Sequence, residues 1–279
     1  MISDYTIVRS RFNNSVSSRK IPYCRYFNLF CLAVMVLFFI SPFPAVGGTK
    51  ARERKFPFVP GERLVYQGRW GAIPAGEIIL EVLAKVNVNG KEAYHFTMTT
   101  KTNAVVDLIY KVRERQDSYV DADMTRSLLY KKRTESKHAR DVVVTFDWDK
   151  MLATRSNFGK KDDPVHVLPG SFDPLALFYA LRLQDIKENS VLEIPVTDGN
   201  MNIATKATVA KGSKIVIGDK SLETFEVIPD MARLEDVAKQ KDEPQLKIWF
   251  TADGNKVPIK IQMQKGLISF VFDLVSMPE

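Results

Sequence analysis

The alternation of apolar and polar residues constrains the fold of this chain more than any other feature. From residue 56 onward, successive segments place apolar residues at every second position, as in strands with one face in the protein interior. Asn89-Gly90 separates two such segments and favours a tight hairpin. The chain is therefore expected to form antiparallel sheet. The first three segments alternate at Leu64, Tyr66 and Trp70, then at Ile78, Leu80, Val82 and Val86, and then at Tyr94, Phe96 and Met98.

The same pattern continues to the C-terminal region. An open sheet of so many sequential strands tends to curl into a barrel or to split into a sandwich. We expect a mainly β fold, in which a curved antiparallel sheet forms a half-barrel or barrel-like structure with one or two short helices. The further strands are predicted near 113–120, 127–136, 140–147, 151–157, 191–197, 202–210, 213–217, 222–228, 245–251, 257–264 and 266–275.

Two segments between strands are predicted to be helical. Asp173 is a favourable N-cap and Pro174 suits the first helical position, which predicts a helix over 174–184. Asn103 is expected to cap a shorter helix over 104–110, with Val105, Val106 and Ile109 directed inward. The pattern leaves open whether the two helices fill the curved sheet or cover its outside.

The N-terminal region has the features of a secretory signal. Residues 27–46 (FNLFCLAVMVLFFISPFPAV) are largely apolar and follow Arg19, Lys20 and Arg25. The apolar core is shorter than the ~20 residues of a spanning helix. We expect residues 1–48 to be a signal peptide and 49–279 to form a single β-rich domain outside the cytoplasm. A retained membrane anchor is the alternative.

Cysteine content and charge limit the chemistry of the exported part. Both cysteines, Cys24 and Cys31, precede the expected cleavage point, so the exported chain would have neither disulfides nor a thiol nucleophile. The whole chain carries a net charge of +7 from 40 basic and 33 acidic residues. Residues 1–48 contain five of the basic residues and one of the acidic ones, which leaves +3 for the remainder. That balance gives no indication of a nucleic-acid partner.

Catalytic and metal-binding patterns are missing from the sequence. The three histidines have no other ligand at helical metal-binding spacing, and no sequence signature of a hydrolase or phosphate-binding loop occurs. Neighbouring carboxylates occur at turns and strand ends, where aspartate is common for backbone reasons. We therefore expect no cofactor, no metal and no catalytic residue. The histidines are His95, His138 and His166, and the carboxylate pairs are Asp121 with Asp123, Asp147 with Asp149, and Asp162 with Asp163.

A basic cluster lies at one predicted hairpin. Lys131-Lys132-Arg133, Lys137 and Arg140 flank the connection between two strands. Such a cluster is able to meet anionic lipid headgroups or acidic polysaccharide. The simpler interpretation is the solvated tip of a hairpin, and the sequence favours it.

Three segments carry the pattern of a known family. Residues 61–77 (GERLVYQGRWGAIPAGE) open with G-E-x-L-x-Y and continue to an Ala-Gly before an apolar strand. Residues 171–182 (SFDPLALFYALR) match a helical motif in the middle, and 248–274 have Trp249, Asp253 and Pro258 before two final strands. These segments resemble the bacterial domain of unknown function DUF3108. The resemblance implies an exported envelope protein of a Gram-negative-type bacterium, located in the periplasm and without an established activity. Its layout is similar to the curved half-barrels of lipoprotein carriers.

Some strands are apolar on both faces, which either an apolar cavity or a sandwich with a docked helix would require. Our hypothesis is a carrier that binds an apolar or amphipathic ligand, such as a lipid or a lipoprotein acyl chain, in an aromatic groove. A scaffold with a dry core that assists envelope assembly through protein contacts is the alternative, and a polysaccharide-acting enzyme is the less favoured one. Membrane contact is expected only through the signal segment, and the oligomeric state is left open. The predicted ligand-lining residues are Tyr66, Trp70, Phe96, Phe178, Phe270 and Phe272.

Overall fold

The alternating segments fold as antiparallel strands. The computed structural model describes residues 56–109, 111–136, 139–200, 202–230, 245–265 and 268–277, without the side chains of 202–205, 265 and 268. The predicted signal segment, His138 and the charged segment 231–244 lie outside these residues. In the described part, the strands are β1 Arg63–Trp70, β2 Ile73–Val88, β3 Lys91–Thr102, β4 Arg113–Asp121, β5 Ser127–Glu135, β6 Arg140–Asp147, β7 Leu152–Asn157, β8 Lys160–Lys161, β9 Val165–His166, β10 Val191–Thr197, β11 Asn202–Lys211, β12 Ile215–Ile217, β13 Lys220–Leu222, β14 Thr224–Pro229, β15 Gln245–Thr251, β16 Pro258–Lys265 and β17 Ile268–Leu274.

One sheet contains fifteen of these strands. Its order is β10-β11-β14-β15-β16-β17-β1-β2-β3-β4-β5-β6-β7-β8, with β9 paired to β7, while β12 and β13 pair separately. Most neighbours are joined by hairpins, and Asn89 and Gly90 adopt the positive φ angles expected of the β2–β3 turn. The strands β1 and β17, from opposite ends of the described chain, pair in the middle of the sheet.

The sheet curls until its two halves meet. A Cβ atom added to Gly199, in the β10–β11 turn, would lie 2.9 Å from Cβ of Arg155 on β7 and 3.0 Å from Cγ1 of Val144 on β6. The segment before the second helix bridges the remaining gap, because Phe172 pairs with Val196 of β10 and its neighbour accepts a hydrogen bond from Ser127. The predicted curved antiparallel sheet is thereby confirmed.

Two helices, α1 (Ala104–Asp107) and α2 (Ala176–Arg182), lie in the described residues. Helix α2 packs on the inner face of the sheet, where the ring centroids of Tyr179 and Phe96 are 3.9 Å apart. The longer predicted helix thus fills the curve. The expectation of inward side chains on α1 was wrong for Val105 and Ile109, which are exposed. Helix α1 comprises a single turn beyond the end of β3, where no second layer of the described residues covers Val105 and Ile109.

Asp173 fixes the start of α2, as its predicted capping role requires. Its carboxylate accepts backbone N–H bonds from Leu175 and Ala176 at 3.0 and 2.9 Å. The hydroxyls of Ser118 on β4 and Ser127 on β5 donate to the other carboxylate oxygen, each at 2.6 Å. Burial raises the pKa of Asp173, although these four donors oppose the shift. The buried carboxylate therefore joins the helix to two strands.

A buried ion pair fixes the other end of α2. Arg182 Nη1 lies 2.5 Å from Glu62 Oε1, and the two side chains are 1% and 7% exposed. The same guanidinium donates to the carbonyl oxygens of Pro57 at 2.5 Å and Asn255 at 3.1 Å. Tyr66 reaches the same region, because its hydroxyl donates to the carbonyl of Pro258 at 2.6 Å. All three segments that carry the family pattern meet here.

Replacing only the cation of this pair should strongly destabilise the protein. We expect Arg182→Met to lower the free energy of unfolding by about 3–5 kcal/mol, because it leaves Glu62 buried without a partner. The double variant Glu62→Leu/Arg182→Met should recover a large part of that loss. Urea unfolding measures both changes.

Arg63 offers a matched control for this experiment. It forms a more exposed ion pair with Glu81 at 3.3 Å, so Arg63→Met should change stability by less than about 1 kcal/mol. Equal effects of Arg182→Met and Arg63→Met would contradict the importance given to the buried pair.

Candidate functional site

The inner face of the sheet ends in a row of apolar side chains that remain partly in water. Strand pairing places Met263 opposite Phe270, Phe270 opposite Trp70, and Trp70 opposite Ile73. Leu246 on β15 extends the row as the partner of Met263. Cross-strand partners point to the same face of a sheet, so these five residues form one apolar row across five adjacent strands. At ~4.8 Å per strand the row is about 19 Å long.

Exposure distinguishes the apolar row from the core beside it. Ile73, Met263 and Trp70 are 51%, 48% and 38% exposed. The rings of Trp70 and Phe270 stack with centroids 6.1 Å apart. Further along β1, about 13 Å from Trp70, Tyr66 is fully buried. The row is thus the outer margin of the interior, where apolar packing gives way to solvent.

The structure brings some of the predicted lining residues together and separates others. Trp70, Phe270 and Phe272 lie side by side on β1 and β17. Tyr66 and Phe96 are completely buried in the packed interior, and burial raises the pKa of the Tyr66 hydroxyl. Phe178 is on α2, partly buried and packed against the core. Of the six predicted residues, Trp70 is the most exposed, at 38%.

Phe272 occupies space that a missing side chain leaves open. Its ring lies over Gly68, so that a Cβ atom added to Gly68 would be 2.7 Å from Cε1 of the ring. Phe272 is partly buried and packs against the core. It forms the inner boundary of the apolar row.

Met263, Ile73 and Leu246 were not among the residues predicted to line the site. Alternation alone would have placed Met263 on the face of Ile261 and Leu246 on the face of Ile248. Their membership in one row depends on the pairing of distant strands, which the pattern along the chain does not reveal. Ile73 lies next to the β1–β2 turn, where a register shift follows Gly68 and obscures alternation.

Helix α1 lies at the same end of the sheet as the apolar row. Its cap residue Asn103 donates its backbone N–H to the carbonyl of Ala75 at 3.0 Å and its side-chain amide to that of Pro74 at 2.6 Å. Asn103 also accepts the N–H of Val106 at 3.0 Å. These bonds hold α1 against the start of β2, close to Ile73.

A charged contact completes the attachment of α1. Both guanidinium nitrogens Nη1 and Nη2 of Arg113 donate to Asp107, at 3.1 and 2.5 Å, and Thr102 donates its hydroxyl to the same carboxylate. The hydrogen bonds from Arg113 and Thr102 lower the pKa of Asp107. The apolar side chains that follow Asp107, Leu108 and Ile109, are 87% and 78% exposed.

A second concave region lies at the opposite end of the sheet. It is a cleft of about 540 Å³. Its buried charges, Glu62 and Arg182, pair with each other, so neither is left to select a charged ligand. The cleft is lined by Phe56, Pro57, Phe58, Val59, Gly61, Glu62, Arg63, Arg182, Asn255 and Val257.

The histidines in the described residues do not form a metal site. His95 Nε2 lies 2.8 Å from Asp117 Oδ1, and its ring stacks on Tyr119 with centroids 4.4 Å apart. Burial alone would raise the pKa of Asp117, but hydrogen bonds from Arg115 and His95 outweigh it and lower that pKa. His166 is exposed on β9. Among the described residues, no group of three or more His, Cys, Asp or Glu side chains is placed to hold a metal ion.

One member of each carboxylate pair serves local structure. Asp121 accepts the backbone N–H and the hydroxyl of Thr125 within the β4–β5 turn. Asp147 accepts bonds from Lys150, and Asp162 pairs with Arg155 at 2.8 Å.

In the part of the chain that the structure describes, no helix is long and apolar enough to span a bilayer.

Comparison with known proteins agrees with the three segments that meet around Arg182. The model of the protein family of unknown function DUF3108 matches residues 65–274. The chain belongs to the DUF3108 family. This DUF3108 protein is also similar to a crystal structure described as a β-barrel-like protein of domain of unknown function DUF1849 from Brucella abortus. The identity is 15% and the TM-score is 0.50, over 78% of this chain and 97% of that one. No curated protein matches the chain.

Gly76 allows β2 to lie close to β3 at the point where α1 begins. Its φ is +155°, and an added Cβ would overlap the carbonyl oxygen of Lys101 on β3. Because backbone cannot move aside as a side chain can, we expect Gly76→Ala to destabilise the protein by about 2–3 kcal/mol and to loosen α1. Chemical unfolding and hydrogen exchange of residues 104–109 measure the two effects.

Gly254 is the matched control for Gly76. It has no atom within 4 Å of an added Cβ and no positive φ. Gly254→Ala should therefore change stability by less than about 0.5 kcal/mol. A similar small effect of Gly76→Ala would contradict the proposed constraint.

The attachment of α1 should depend on pH in a defined direction. The lowered pKa of Asp107 means that its contribution is present at pH values above the ordinary aspartate range and is lost as pH falls through the lowered pKa. We expect the NMR signals of the Leu108 and Ile109 methyl groups to change in that acidic window. Asp107→Asn should produce the altered signals already at neutral pH. A variant spectrum equal to that of the wild type would show that Asp107 does not hold α1.

Proposed function

We propose that this DUF3108 protein is exported to the periplasm and binds an apolar or amphipathic envelope ligand, a lipid or a lipoprotein acyl chain, along the apolar row. The observation that carries the proposal is the exposure of Trp70, Ile73 and Met263 within a row of five apolar residues in register on five adjacent strands. A signal-like N-terminal segment supports export. No catalytic step is part of the proposal.

The physical reason for ligand binding is the cost of leaving the apolar row in water. Burial of apolar surface is favourable by roughly 25 cal/mol per Å². An alkyl chain that lies along the row would cover Trp70, Phe270 and Met263 together, and stacked aromatic rings present a broad, rigid contact surface. Scattered single apolar residues on a surface would not offer such a continuous contact.

The packed interior restricts where a ligand would lie. Tyr179 of α2 stacks on Phe96, and Phe272 fills the space above Gly68. The proposed ligand therefore lies along the margin of the inner face and does not enter the space that α2 occupies. A single chain on the apolar row fits this limit better than a large enclosed molecule.

The same packed interior supports a second candidate function. A scaffold that acts through protein contacts needs a dry core, and the burial of Tyr66, Phe96 and Tyr179 agrees with that requirement. In such a protein, the apolar row would be covered by a partner protein. The two proposals differ in whether a lipid accompanies the purified protein.

Extraction of the protein purified from a bacterial periplasm tests the first proposal. We expect mass spectrometry of the organic extract to find a lipid in stoichiometric amount. A fluorescent fatty acid, used below its aggregation concentration, should bind the delipidated protein. Phe270→Asp and Met263→Asp should each weaken that binding about tenfold or more, because each places a charge in the apolar contact.

Met263→Asp is the variant that is expected to fold, because the side chain of Met263 is already about half exposed. Val216→Asp, at a comparably exposed apolar residue on β12, is the control and should leave fatty-acid binding unchanged. Repeated absence of lipid from a folded monomer, together with no fatty-acid binding, would overturn the carrier proposal in favour of the scaffold.

A further inference from the structure

The two ends of the sheet differ in the side chains they present to solvent. Connections at one end, which includes the apolar row, join β1 to β2, β3 to β4, β5 to β6, β7 to β8 and β16 to β17. Because neighbouring strands are antiparallel, these connections all lie at the same end. Of the large apolar residues exposed in the described chain, seven belong to this end: Trp70, Ile73, Val105, Leu108, Ile109, Phe158 and Met263.

Four turns at the opposite end are polar. The β2–β3, β4–β5, β6–β7 and β15–β16 connections contain no large exposed apolar side chain among the described residues. They present carboxylates instead, with Asp123, Asp149 and Asp253 exposed. We call the end with the seven residues the apolar end, although five further exposed apolar residues, Val59, Leu168, Val191, Val216 and Val275, lie away from it.

Two tips carry the most exposed apolar side chains of the apolar end. The first, the α1 tip, consists of Val105, Leu108 and Ile109. The second, the β7–β8 tip, consists of Phe158, which is 65% exposed and is held in place by its backbone N–H bond to Asp141 at 2.9 Å. Both tips are therefore anchored to the sheet while their apolar side chains point away from the core.

Cations without acidic partners surround these tips. Lys111 follows the α1 tip, and Lys160 and Lys161 follow Phe158 directly. The neighbouring β5–β6 hairpin adds Arg133 and Arg140. Within the described residues none of these five cations forms an ion pair, whereas Asp107 and Asp162 at the same tips are paired with Arg113 and Arg155. Three unpaired carboxylates, Glu135, Asp141 and Asp163, leave the cations in excess.

We propose that the α1 tip and the β7–β8 tip dock the protein on the surface of an anionic phospholipid bilayer. The apolar side chains would enter the interfacial region, and the unpaired lysines and arginines would face the lipid phosphates. The inference rests on the proposed function, because docking at this end places the apolar row where a lipid enters or leaves the membrane. It departs from the sequence-based expectation, which limited membrane contact to the signal segment.

Vesicle sedimentation tests the proposal on the protein purified from the periplasm. We expect binding to vesicles of phosphatidylglycerol and phosphatidylethanolamine, weaker binding to phosphatidylcholine vesicles, and loss of binding at high salt. Leu108→Asp/Ile109→Asp should weaken anionic vesicle binding about a hundredfold, because two apolar contacts are lost. Lys160→Gln/Lys161→Gln should weaken it about thirtyfold and reduce the salt dependence. Val216→Asp, at an exposed apolar residue outside both tips, should bind as the wild type does.

A second readout separates docking from ligand binding. The fluorescent fatty acid should bind the Leu108→Asp/Ile109→Asp variant normally, whereas Phe270→Asp should lose the fatty acid and still bind vesicles. If the wild type binds anionic vesicles no better than phosphatidylcholine vesicles, or if the folded tip variants bind anionic vesicles as tightly as the wild type does, the docking proposal is overturned while fatty-acid binding keeps the carrier proposal. Loss of vesicle binding through Phe270→Asp alone would likewise overturn docking by the tips.

Discussion

The buried ion pair between Arg182 and Glu62 determines how the rest of the structure is assembled. It joins the last residue of α2 to the segment before β1, and Arg182 also holds the carbonyls of Pro57 and Asn255. A buried pair of charges is not in itself a large source of stability. The relative positions of the two side chains are constrained, because a buried charge without its partner strongly destabilises the protein. The pair therefore specifies where α2 lies inside the curled sheet.

With α2 fixed inside the curve, the interior cannot serve as a large ligand cavity. Asp173 ties the start of the helix to β4 and β5, and Tyr179 stacks on Phe96 between the two ends. Apolar surface in contact with solvent is consequently displaced to the margin, where Trp70 and Phe270 stack. The packing of the core and the position of the candidate site thus have the same origin.

The sequence predicted the strands well because each depends on a local signal. Alternation and turn residues placed β5, β6 and β10 within one residue of their observed bounds, and Asp173 was correctly identified as the residue that caps α2. The pairing of β1 with β17 has no local signal, so the row formed by Met263, Phe270 and Trp70 was only partly anticipated.

The inward prediction for α1 failed for a related reason. An apolar helical stripe normally indicates a covered face. At α1, however, the helix is a single turn, and Asn103 and Asp107 attach it through polar groups to Pro74 and Arg113. The sequence shows that these residues are apolar. It does not show that the sheet ends at this point and leaves them exposed.

The attachment of α1 bears on how its exposed residues should be interpreted. Apolar residues in a frayed segment would collapse on the nearest apolar surface, and their exposure would have little meaning. Here three hydrogen bonds of Asn103 hold the helix, and Arg113 donates a further hydrogen bond to Asp107. Gly76, whose backbone allows no side chain beside Lys101, brings β2 and β3 together at this point. Polar contacts thus keep Leu108 and Ile109 in water, and a fold maintains such exposure at a cost in solubility. An end that is held open in this way, next to unpaired cations, has the character of a contact surface.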